Sequence, residues 1–457
     1  LIVIHSYMDN KVILSDYIEK VFETESKEFS EWFGYYNYDT LNYNQTKMLC
    51  NRAKFDGIQP KKDLSIDLGY YDLISGKWHY IDTTDTWNWQ QGALLQWIQN
   101  SKNEECVVYN SSRNGHCCAK KYNLVTGVYD DIDWAIYDVT PNGAKSISLE
   151  MERSYFCRAY HYMSVENLQW EGRIVDDDGI FEVDLTNNTR KRIISIHDIV
   201  NLDARQDFDK CKHWLEHIMI SPSGKRMCFL HRFSPLDNVL KYQTRLCVAD
   251  LDGKNLEIIS DWERYQWSHF AWKSDDEFVI YTQTPYKYTH KGSLKELVSR
   301  TPWRIPAIAV SVFYAVTSRL PFQISKLVHG KRHHYQYYSY DIKNSRFVLN
   351  GCYENNMLNI DGHPSFTTDG RYMITDSYPD NKQMQRLIIF DTITKKSIII
   401  AKFFANYHKN PASCDLHPKL SINNNYLVVD SAYDSKHHMF VLKLNWEKIK
   451  TALSINE

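Results

Sequence analysis

The chain has 457 residues, with 54 lysines and arginines against 56 aspartates and glutamates and a net charge of −2. This length exceeds one ordinary hydrophobic core and predicts either several domains or an array of repeats. The near-neutral charge argues against a general nucleic-acid binder, which needs a clearly basic surface. Aromatic residues make up 14% of the chain, with 32 tyrosines and 13 tryptophans, a composition that favours strands and suits sugar-binding surfaces.

The 10 cysteines follow none of the paired spacings of zinc sites, and several lie singly inside apolar segments. They are expected to be buried free thiols of a reducing compartment. Apolar residues 1–4 are followed at once by His5 and then by Asp9, a pattern unlike a secretory signal. We therefore expect a cytoplasmic protein, with peripheral attachment at the inner membrane surface as an alternative.

The first predicted element is a short helix between about Lys11 and Trp32, where apolar residues such as Val12 and Val21 recur at roughly helical spacing. Strand patterns dominate after it. We assign residues 1–34 to an N-terminal strand and helix that close or flank the main fold. An N-terminal strand would complete the last sheet of a closed ring and so remove its exposed edge.

The main fold is predicted from two phrases that recur along the chain. The first is an alternating segment, a polar turn and an apolar strand, and its seven copies begin near Asn42, Gln90, Ile136, His217, His269, His363 and His417. The second is an alternating strand that ends in Asp or Asn at a turn, and it occurs six times between those openings. A repeat of about 50 residues is typical of propellers and solenoids. The sequence therefore predicts an all-β, seven-bladed β-propeller over residues 35–448, with six blades and a flanking sheet as the alternative.

One spacing between copies is nearly doubled, and the surplus, residues 286–335, lies within the fifth blade. It contains an apolar run that begins at Ile305 and a basic stretch that includes Lys331 and Arg332. The apolar run, about 13 residues long, is too short to span a bilayer. We expect a helical insertion packed on the propeller. Contact with a membrane interface or with a protein partner is the alternative.

The histidine that opens each of the last four copies is the strongest candidate for a site. The innermost strand of each propeller blade lines the central channel, so His217, His269, His363 and His417 are expected to point towards one axis. Neutral imidazole is the commonest protein ligand of metals and a frequent proton acceptor. Oxygen-rich surroundings would suit Mn, Zn or another divalent ion. The alternative is that each histidine only caps its own strand.

Acidic residues accompany three of these histidines, namely Glu216, Asp361 and Asp415. A carboxylate beside a ligating imidazole either orients the ring or binds the metal itself. The alternative is that these residues only form turns at the strand ends.

The second copy carries a different set of side chains. The run Trp87-Asn-Trp-Gln-Gln-Gly places Trp87 and Trp89 beside Gln90 and Gln91. Indole faces and amide groups together suit stacking on a sugar and hydrogen bonding to its hydroxyls. These four residues are therefore candidates for substrate binding.

Two arginines of the third copy, Arg153 and Arg158, are candidates for a bidentate grip on a uronic acid carboxylate. The alternative is that they form ion pairs with the nearby Glu150 and Glu152. The chain contains no phosphate loop, dinucleotide fingerprint or Gly-x-Ser-x-Gly elbow, which argues against the enzyme classes that depend on them.

Together these residues resemble the oligogalacturonate lyases, a group of seven-bladed propellers among the broader TolB-type propellers. The resemblance rests on the Trp87 run, the region of Arg153, Asp361-Gly-His-Pro-Ser-Phe-Thr-Thr-Asp-Gly and Cys414-Asp-Leu-His-Pro-Lys-Leu-Ser, and it covers roughly residues 35–445. It implies β-elimination of a uronate-containing glycan. A divalent metal, typically Mn, would grip the carboxylate while a base removes the C5 proton.

Residue by residue, the resemblance implies that His363 is a metal ligand and that His269 or His217 supplies a ligand from a blade opening. Arg153 is implied as the base or as a carboxylate clamp. Where the lyases have a glutamine and a further histidine, this chain has Leu358 and Asp361. Asp361 would then take the place of an imidazole.

We therefore predict a carbohydrate-active propeller, in particular a metal-dependent lyase-like enzyme on an acidic oligosaccharide or polysaccharide, with no nucleic-acid partner. Mn is the expected ion, and Zn and Ca are alternatives. The predicted site comprises catalytic Arg153 and His217, metal ligands His269, His363, His417 and Asp361, and substrate-binding Trp87, Trp89, Gln90, Gln91 and Arg158. The alternative function is a non-catalytic propeller that binds a glycan or a protein, since a fold alone does not decide between them.

Overall fold

The computed structural model describes residues 11–454 except 59, 62–63, 101–103, 154–175, 206, 237–241, 260–266, 286–332, 344–345, 348–352, 354 and 407–412. Within these ranges the strands form seven antiparallel sheets, which are the blades of a β-propeller. The predicted fold class and blade number are confirmed. We name the blades A to G in chain order.

The N-terminal residues form strands and not the predicted helix. They are β1 (Val12–Leu14), β2 (Ile18–Glu23) and β3 (Ser30–Trp32). The segment contains β-branched residues such as Val12 and Ile18, which favour strands, and it lies where two blades offer open edges. Pairing with those edges outweighs a weak helical periodicity and completes the ring.

Blades A to D each contain four strands, which follow one another from the channel outward. Blade A contains β3, β4 (Lys47–Ala53), β5 (Ile66–Asp72) and β6 (Lys77–Thr84). Blade B contains β7 (Gln96–Asn100), β8 (Glu105–Arg113), β9 (His116–Asn123) and β10 (Tyr129–Ile132). Blade C contains β11 (Asp138–Val139), β12 (Lys145–Leu149), β13 (Gly179–Asp184) and β14 (Thr189–Ser195). Blade D contains β15 (Cys211–Ile220), β16 (Arg226–Pro235), β17 (Gln243–Asp250) and β18 (Glu257–Ile258).

The last three blades include the N-terminal strands β1 and β2. Blade E contains β19 (Trp267–Trp272), β20 (Glu277–Pro285), β21 (His333–Asp341) and β22 (Arg346–Phe347). Blade F contains β23 (Ser365–Phe366), β24 (Tyr372–Asp376), β25 (Met384–Asp391) and β26 (Ser397–Phe404), with β1 as a fifth, outer strand. Blade G contains β27 (Lys419–Leu420), β28 (Tyr426–Ser431) and β29 (His438–Leu444), and β2 completes it. Contacts between β29 and β3 join blade G to blade A and close the ring.

Two α-helices accompany the blades within the described ranges. Helix α1 (Ile196–Leu202) connects blade C to blade D, and helix α2 (Trp446–Leu453) follows blade G. Short 3-10 helices occupy Phe208–Lys210 and Asn356–Leu358. No helix among the described residues is long and apolar enough to cross a membrane.

The doubled spacing lies between β20 and β21 of blade E, in the fifth blade, as predicted. The predicted helix of the insertion at residues 286–335 falls almost entirely on residues 286–332, which are outside the described ranges. Residues 333–335 begin β21. The eight cysteines in the described ranges are free, and all but Cys414 are buried.

The blade openings share one register, which is defined by their turns. The N–H of the residue that opens the turn donates to a carbonyl of the following strand, and this residue is Ser221, Lys273, Thr367 and Ser421 in blades D to G. Each opening histidine lies four residues before that turn residue. The four histidines therefore occupy equivalent positions beside the channel.

A buried Asn or Asp on the second strand of four successive blades binds the backbone of an innermost strand. Asp376 accepts the backbone N–H groups of His363 and Leu416. Asp430 accepts that of Gly34. The full set, in blades F, G, A and B, is Asp376, Asp430, Asn51 and Asn110. These polar groups replace water as partners of buried backbone near the axis.

The innermost strand of blade A leaves its sheet between Trp32 and Thr40. β3 pairs with β4 as far as Trp32, and the ladder resumes at the Thr40 carbonyl. Gly34 begins the excursion with a φ of +119°, and a Cβ there would lie 2.6 Å from the backbone carbon of Gln91. Only glycine fits such a position without strain. Residues 33–39, which we call the channel loop, therefore enter the channel.

Candidate functional site

The structure brings the four opening histidines together in the channel. The ring centroids of His269 and His363 are 4.1 Å apart, and those of His363 and His417 are 4.3 Å apart. His217 lies 6.5 Å from His269 in the same measure. Strands from four different blades thus place their imidazoles in one continuous cluster.

Three side chains here have the arrangement of a metal site, and we call His363, Asp415 and His417 the metal-like cluster. One ligand atom from each of His363, Asp415 and His417 lies within 4.8 Å of the other two, and all three residues are buried. The Nε2 atom of His417 is buried and has no hydrogen-bond partner. A buried imidazole nitrogen without a partner is costly in an empty protein interior, and a cation would satisfy it.

Asp376 fixes the orientation of His363. Both carboxylate oxygens of Asp376 lie 3.0 Å from His363 Nδ1, and one of them also accepts the His363 backbone N–H at 2.6 Å. The proton of the neutral ring is therefore on Nδ1, which leaves the Nε2 lone pair facing Asp415, whose Oδ2 is 4.0 Å away. A carboxylate behind a histidine is the usual support of a metal-ligating imidazole.

The electrostatics of the cluster favour neutral rings. Burial, and then the charge of neighbouring histidines, lowers the pKa of both His363 and His417 well below its ordinary value. Burial, and then the Asp376 carboxylate, raises the pKa of Asp415 to about 7. Neutral imidazole is the form that binds metals, and a bound cation would draw the Asp415 carboxyl into its ionised form.

His269 and Asp361, both predicted as metal ligands, form a separate pair beside this cluster. His269 Nδ1 lies 3.2 Å from Asp361 Oδ1, and Ser268 donates its hydroxyl to the other carboxylate oxygen. Burial opposes the charged form of His269, but the Asp361 carboxylate outweighs it and the pKa of His269 is raised. The carboxylate that lies with His363 and His417 is that of Asp415, which the sequence offered only as a companion of His417.

The channel loop supplies two residues that were not among the sequence-based candidates. Tyr35 and Tyr36 cross from blade A to the opposite side of the ring, where Tyr36 donates its hydroxyl to the Phe270 carbonyl at 2.7 Å. The Tyr36 ring centroid lies 5.2 Å from that of His363. The signal for this loop is the run Gly-Tyr-Tyr-Asn-Tyr at residues 34–38, just before the first opening.

His217 lies at the blade D end of the row of histidines, 6.5 Å from His269 between ring centroids. Its Nδ1 is hydrogen-bonded to the Tyr35 hydroxyl, and its Nε2 lies 3.4 Å from a carboxylate oxygen of Glu216. Its backbone N–H donates to the Tyr137 hydroxyl at 3.1 Å. Blade D thus contributes a chain of polar groups that runs alongside the cluster.

Trp87 and Trp89 do not form the predicted sugar platform. They are 1% and 4% exposed, and their indole N–H groups donate to backbone carbonyls. Trp89 stacks on the His437 ring at 4.7 Å, and Trp87 packs against Trp32. The faces expected to meet a sugar are therefore covered by the aromatic core between the blades.

Gln90 and Gln91 make contacts within the protein close to the site. Gln90 donates to the Ser413 carbonyl at 2.9 Å, two residues before Asp415. Gln91 donates to the Tyr137 hydroxyl at 2.9 Å. These amides help to hold the elements around the channel.

Arg153 is 1% exposed and is placed in the interior of the protein. Its Nε lies 3.2 Å from Asp178, and its guanidinium donates to the His213 carbonyl. Glu150, an expected partner, accepts from Arg190 at 2.8 Å. The burial of Arg153 does not suit the predicted carboxylate clamp or base. Arg158 lies outside the described residues.

Comparisons with known proteins bear on the fold. Neither the protein-family models nor the sequences of curated proteins match this chain. A solved oligogalacturonate lyase in complex with manganese aligns over 94% of this chain and 93% of its own, with a TM-score of 0.55 and 13% identity. An oligogalacturonate lyase from Vibrio parahaemolyticus aligns over 94% and 95%, with a TM-score of 0.55 and 12% identity. The chain therefore has an oligogalacturonate lyase-like seven-bladed propeller, which confirms the predicted resemblance at the level of the fold.

Proposed function

We propose that this protein is a metal-dependent lyase that cleaves a uronate-containing oligosaccharide by β-elimination. The observation that carries the proposal is the group of His363, Asp415 and His417, with ligand atoms within 4.8 Å of one another and a buried His417 Nε2 that lacks a partner. The likeness of the fold to a lyase that binds manganese supports the same assignment.

The donor atoms fit a divalent cation. Two imidazoles and one carboxylate form a mixed nitrogen and oxygen set that suits Mn or Zn, and Mn is our choice because further carboxylates surround it. His363, Asp415 and His417 would hold the ion. When bound, it would neutralise the carboxylate of a uronate and so make the adjacent C5 proton more acidic.

The surroundings of the cluster indicate where a substrate would approach. The side chains of His217, His269 and Asp361 are 17%, 16% and 16% exposed to solvent. Those of His363 and Asp376 are only 2% and 1% exposed. A glycan would therefore reach the cluster from the side of blades D and E. There the His269–Asp361 pair offers polar groups for its hydroxyls.

The test is incubation of the protein and Mn²⁺ with a panel of uronate-containing glycans that starts with oligogalacturonate. Elimination creates a conjugated double bond, so the product is followed by its ultraviolet absorbance. We expect signal from the wild type and from the surface variant His116→Ala, and none from His417→Ala. Absence of product across the panel from a protein that demonstrably holds the metal would refute the proposal.

A second candidate function is a non-catalytic propeller in which the same residues hold a structural metal. The burial of His363 and His417, at 1% and 7% exposure, favours it. In that case Mn²⁺ would raise the melting temperature of the wild type but not that of His417→Ala, and no glycan of the panel would be cleaved.

A further inference from the structure

We infer that Tyr35 is the catalytic residue that takes the substrate's proton, and that His217 accepts the phenolic proton of Tyr35 in the same step. This inference rests on the proposed function and deepens it by naming a base. It assigns the base to Tyr35, where Arg153 was predicted, and gives His217, predicted as catalytic, the role of proton acceptor behind it.

Both ring nitrogens of His217 are engaged within the protein. Nδ1 is hydrogen-bonded to the Tyr35 hydroxyl, and Nε2 lies 3.4 Å from Glu216 Oε2. The Tyr35 hydroxyl thus occupies the position in front of Nδ1, so a proton that reaches this nitrogen passes through Tyr35.

The polar contacts around His217 favour one tautomer. Glu216 is 3% exposed; the Trp214 indole N–H donates to it at 2.6 Å, and the Arg232 guanidinium lies 2.9 Å from its Oε2. The Glu216 carboxylate beside His217 Nε2 favours a proton on that nitrogen. Nδ1 then holds a lone pair, and Tyr35 donates to it. The order hydroxyl, imidazole, carboxylate is the one by which proteins activate a weak acid as a base or nucleophile.

The backbone fixes the ring of His217. The residue has a φ of +54°, and the pairing of β15 with β16 shifts register there. A non-glycine residue in this region is strained and persists only where its surroundings enforce it. The Tyr137 hydroxyl accepts the His217 N–H and itself accepts from Gln91, which provides that support.

Tyr35 also contacts the metal-like cluster. Its ring stacks on His217 with centroids 5.4 Å apart, and it meets the His417 ring edge-on at 5.5 Å. Tyr35 therefore lies between His217 of blade D and His417, the proposed metal ligand of blade G. A uronate held by its carboxylate at the cluster would bring its C5 towards this residue.

The proposed proton transfer conserves atoms and electrons. The C5–H bond breaks, and its proton passes to Tyr35 Oη while the Oη–H proton passes to His217 Nδ1. The electron pair left on C5 forms the C4–C5 double bond as the C4–O bond breaks. A water molecule protonates the leaving oxygen, and the resulting hydroxide takes the extra proton from His217. Glu216 stabilises the His217 imidazolium meanwhile.

The test is steady-state kinetics of Tyr35→Phe on the first glycan that the wild type cleaves, with trigalacturonate as the initial probe. The variant keeps the ring and removes only the hydroxyl. We expect kcat to fall by about 10²–10⁴-fold, the range for loss of a general base, with KM and Mn²⁺ affinity unchanged. Tyr38→Phe is the matched control, since Tyr38 lies on the same channel loop and donates to the Tyr137 carbonyl. It should keep the wild-type kcat.

Glu216→Gln tests the positioning part of the relay. It should lower kcat more than KM, and the nitrogen NMR signals of His217 should report a changed tautomer. A Tyr35→Phe variant that binds Mn²⁺ and retains kcat within about threefold would overturn the assignment and leave the lyase intact. A wild type that cleaves no glycan of the panel would instead overturn the proposed function, and this assignment with it.

Discussion

Two of the buried groups of histidines among the described residues, one in the channel and one in blade D, differ in what surrounds the rings. In the channel, His363 and His417 lie beside Asp376 and Asp415, and the His417 Nε2 has no partner. In blade D, His213 and His231 form a second pair, with Nδ1 of the first 3.0 Å from Nε2 of the second. Both clusters thus contain imidazoles in close contact, but of the two it is the channel cluster that has the arrangement of a metal site.

The blade D pair is linked to the backbone by ordinary hydrogen bonds, although His231 Nδ1 is buried without a hydrogen-bond partner, as His417 Nε2 is. His213 Nε2 donates to the Phe208 carbonyl, so its Nδ1 accepts from His231. Burial lowers the pKa of His213 to about 4 and that of His231 well below its ordinary value, with Arg245 adding to both effects. A guanidinium in place of carboxylates disfavours a second cation. Because both clusters contain a buried imidazole nitrogen without a partner, the neighbouring carboxylates are what distinguish the channel cluster from a core cluster.

The largest expected effect comes from His417→Ala. Loss of a ligand should lower Mn²⁺ affinity by more than about 100-fold, since loss of a mere supporting residue already costs about 10–100-fold. Equilibrium dialysis against Mn²⁺ measures this. His231→Leu is the control, because it removes a buried histidine of the other cluster. Equal losses in the two variants would show that neither cluster is specific.

Asp376→Asn sharpens the comparison by changing only the support of His363. The amide oxygen still accepts a backbone N–H, but an amide no longer fixes the ring as a carboxylate does. We expect Mn²⁺ affinity to fall by about 10–100-fold with little change in far-ultraviolet circular dichroism. An unchanged affinity would mean that His363 is not a ligand.

His231→Leu should affect stability and not metal binding. The substitution leaves His213 Nδ1 without its donor in a buried position, which costs about 1–3 kcal/mol. Urea denaturation of the metal-free protein gives the free energy of unfolding. A larger effect in the presence of Mn²⁺ than in its absence would contradict a purely structural role for this pair.

The smallest effect concerns Asp430, the counterpart of Asp376 in blade G, which binds backbone and no histidine. Burial raises its pKa from 3.8 to about 7. The folded state therefore holds this proton more tightly than the unfolded state, so the contribution to stability is full below about pH 4 and is lost as the pH rises through about 7. The melting temperature of Asp430→Asn should fall less steeply over this range than that of the wild type. Parallel curves would contradict the shift.

Much of the fold could be read from the sequence, because each blade repeats the same turn and strand chemistry. The openings at Ser221, Thr367 and Ser421 share one hydrogen-bonding pattern, and the leading histidine keeps a constant distance from it. An N-terminal strand that completes the last blade was predicted, and β2 completes blade G, but the segment assigned to a helix also forms strands. The pairing partners of β1 and β2 are about 390–430 residues away, at the other end of the chain, so no local periodicity reports them.

The candidate site was predictable only in part. Equivalent positions in adjacent blades imply that the histidines converge, but the sequence does not show which carboxylate faces them. Asp361 turns to His269 and Asp415 to the cluster because of side-chain directions set by tertiary packing. The burial of Trp87 and Arg153 also depends on neighbouring blades, since a residue type suited to a ligand suits the core equally well.

The most direct test of the central claim is the number of Mn²⁺ ions that the purified full-length chain binds. Equilibrium dialysis should give one ion per wild-type chain and none in the Asp415→Asn, His417→Ala double variant, with His213 and His231 present in both. A wild type that binds no divalent ion, or a double variant that binds as tightly as the wild type, would contradict the assignment of the channel cluster as a metal site.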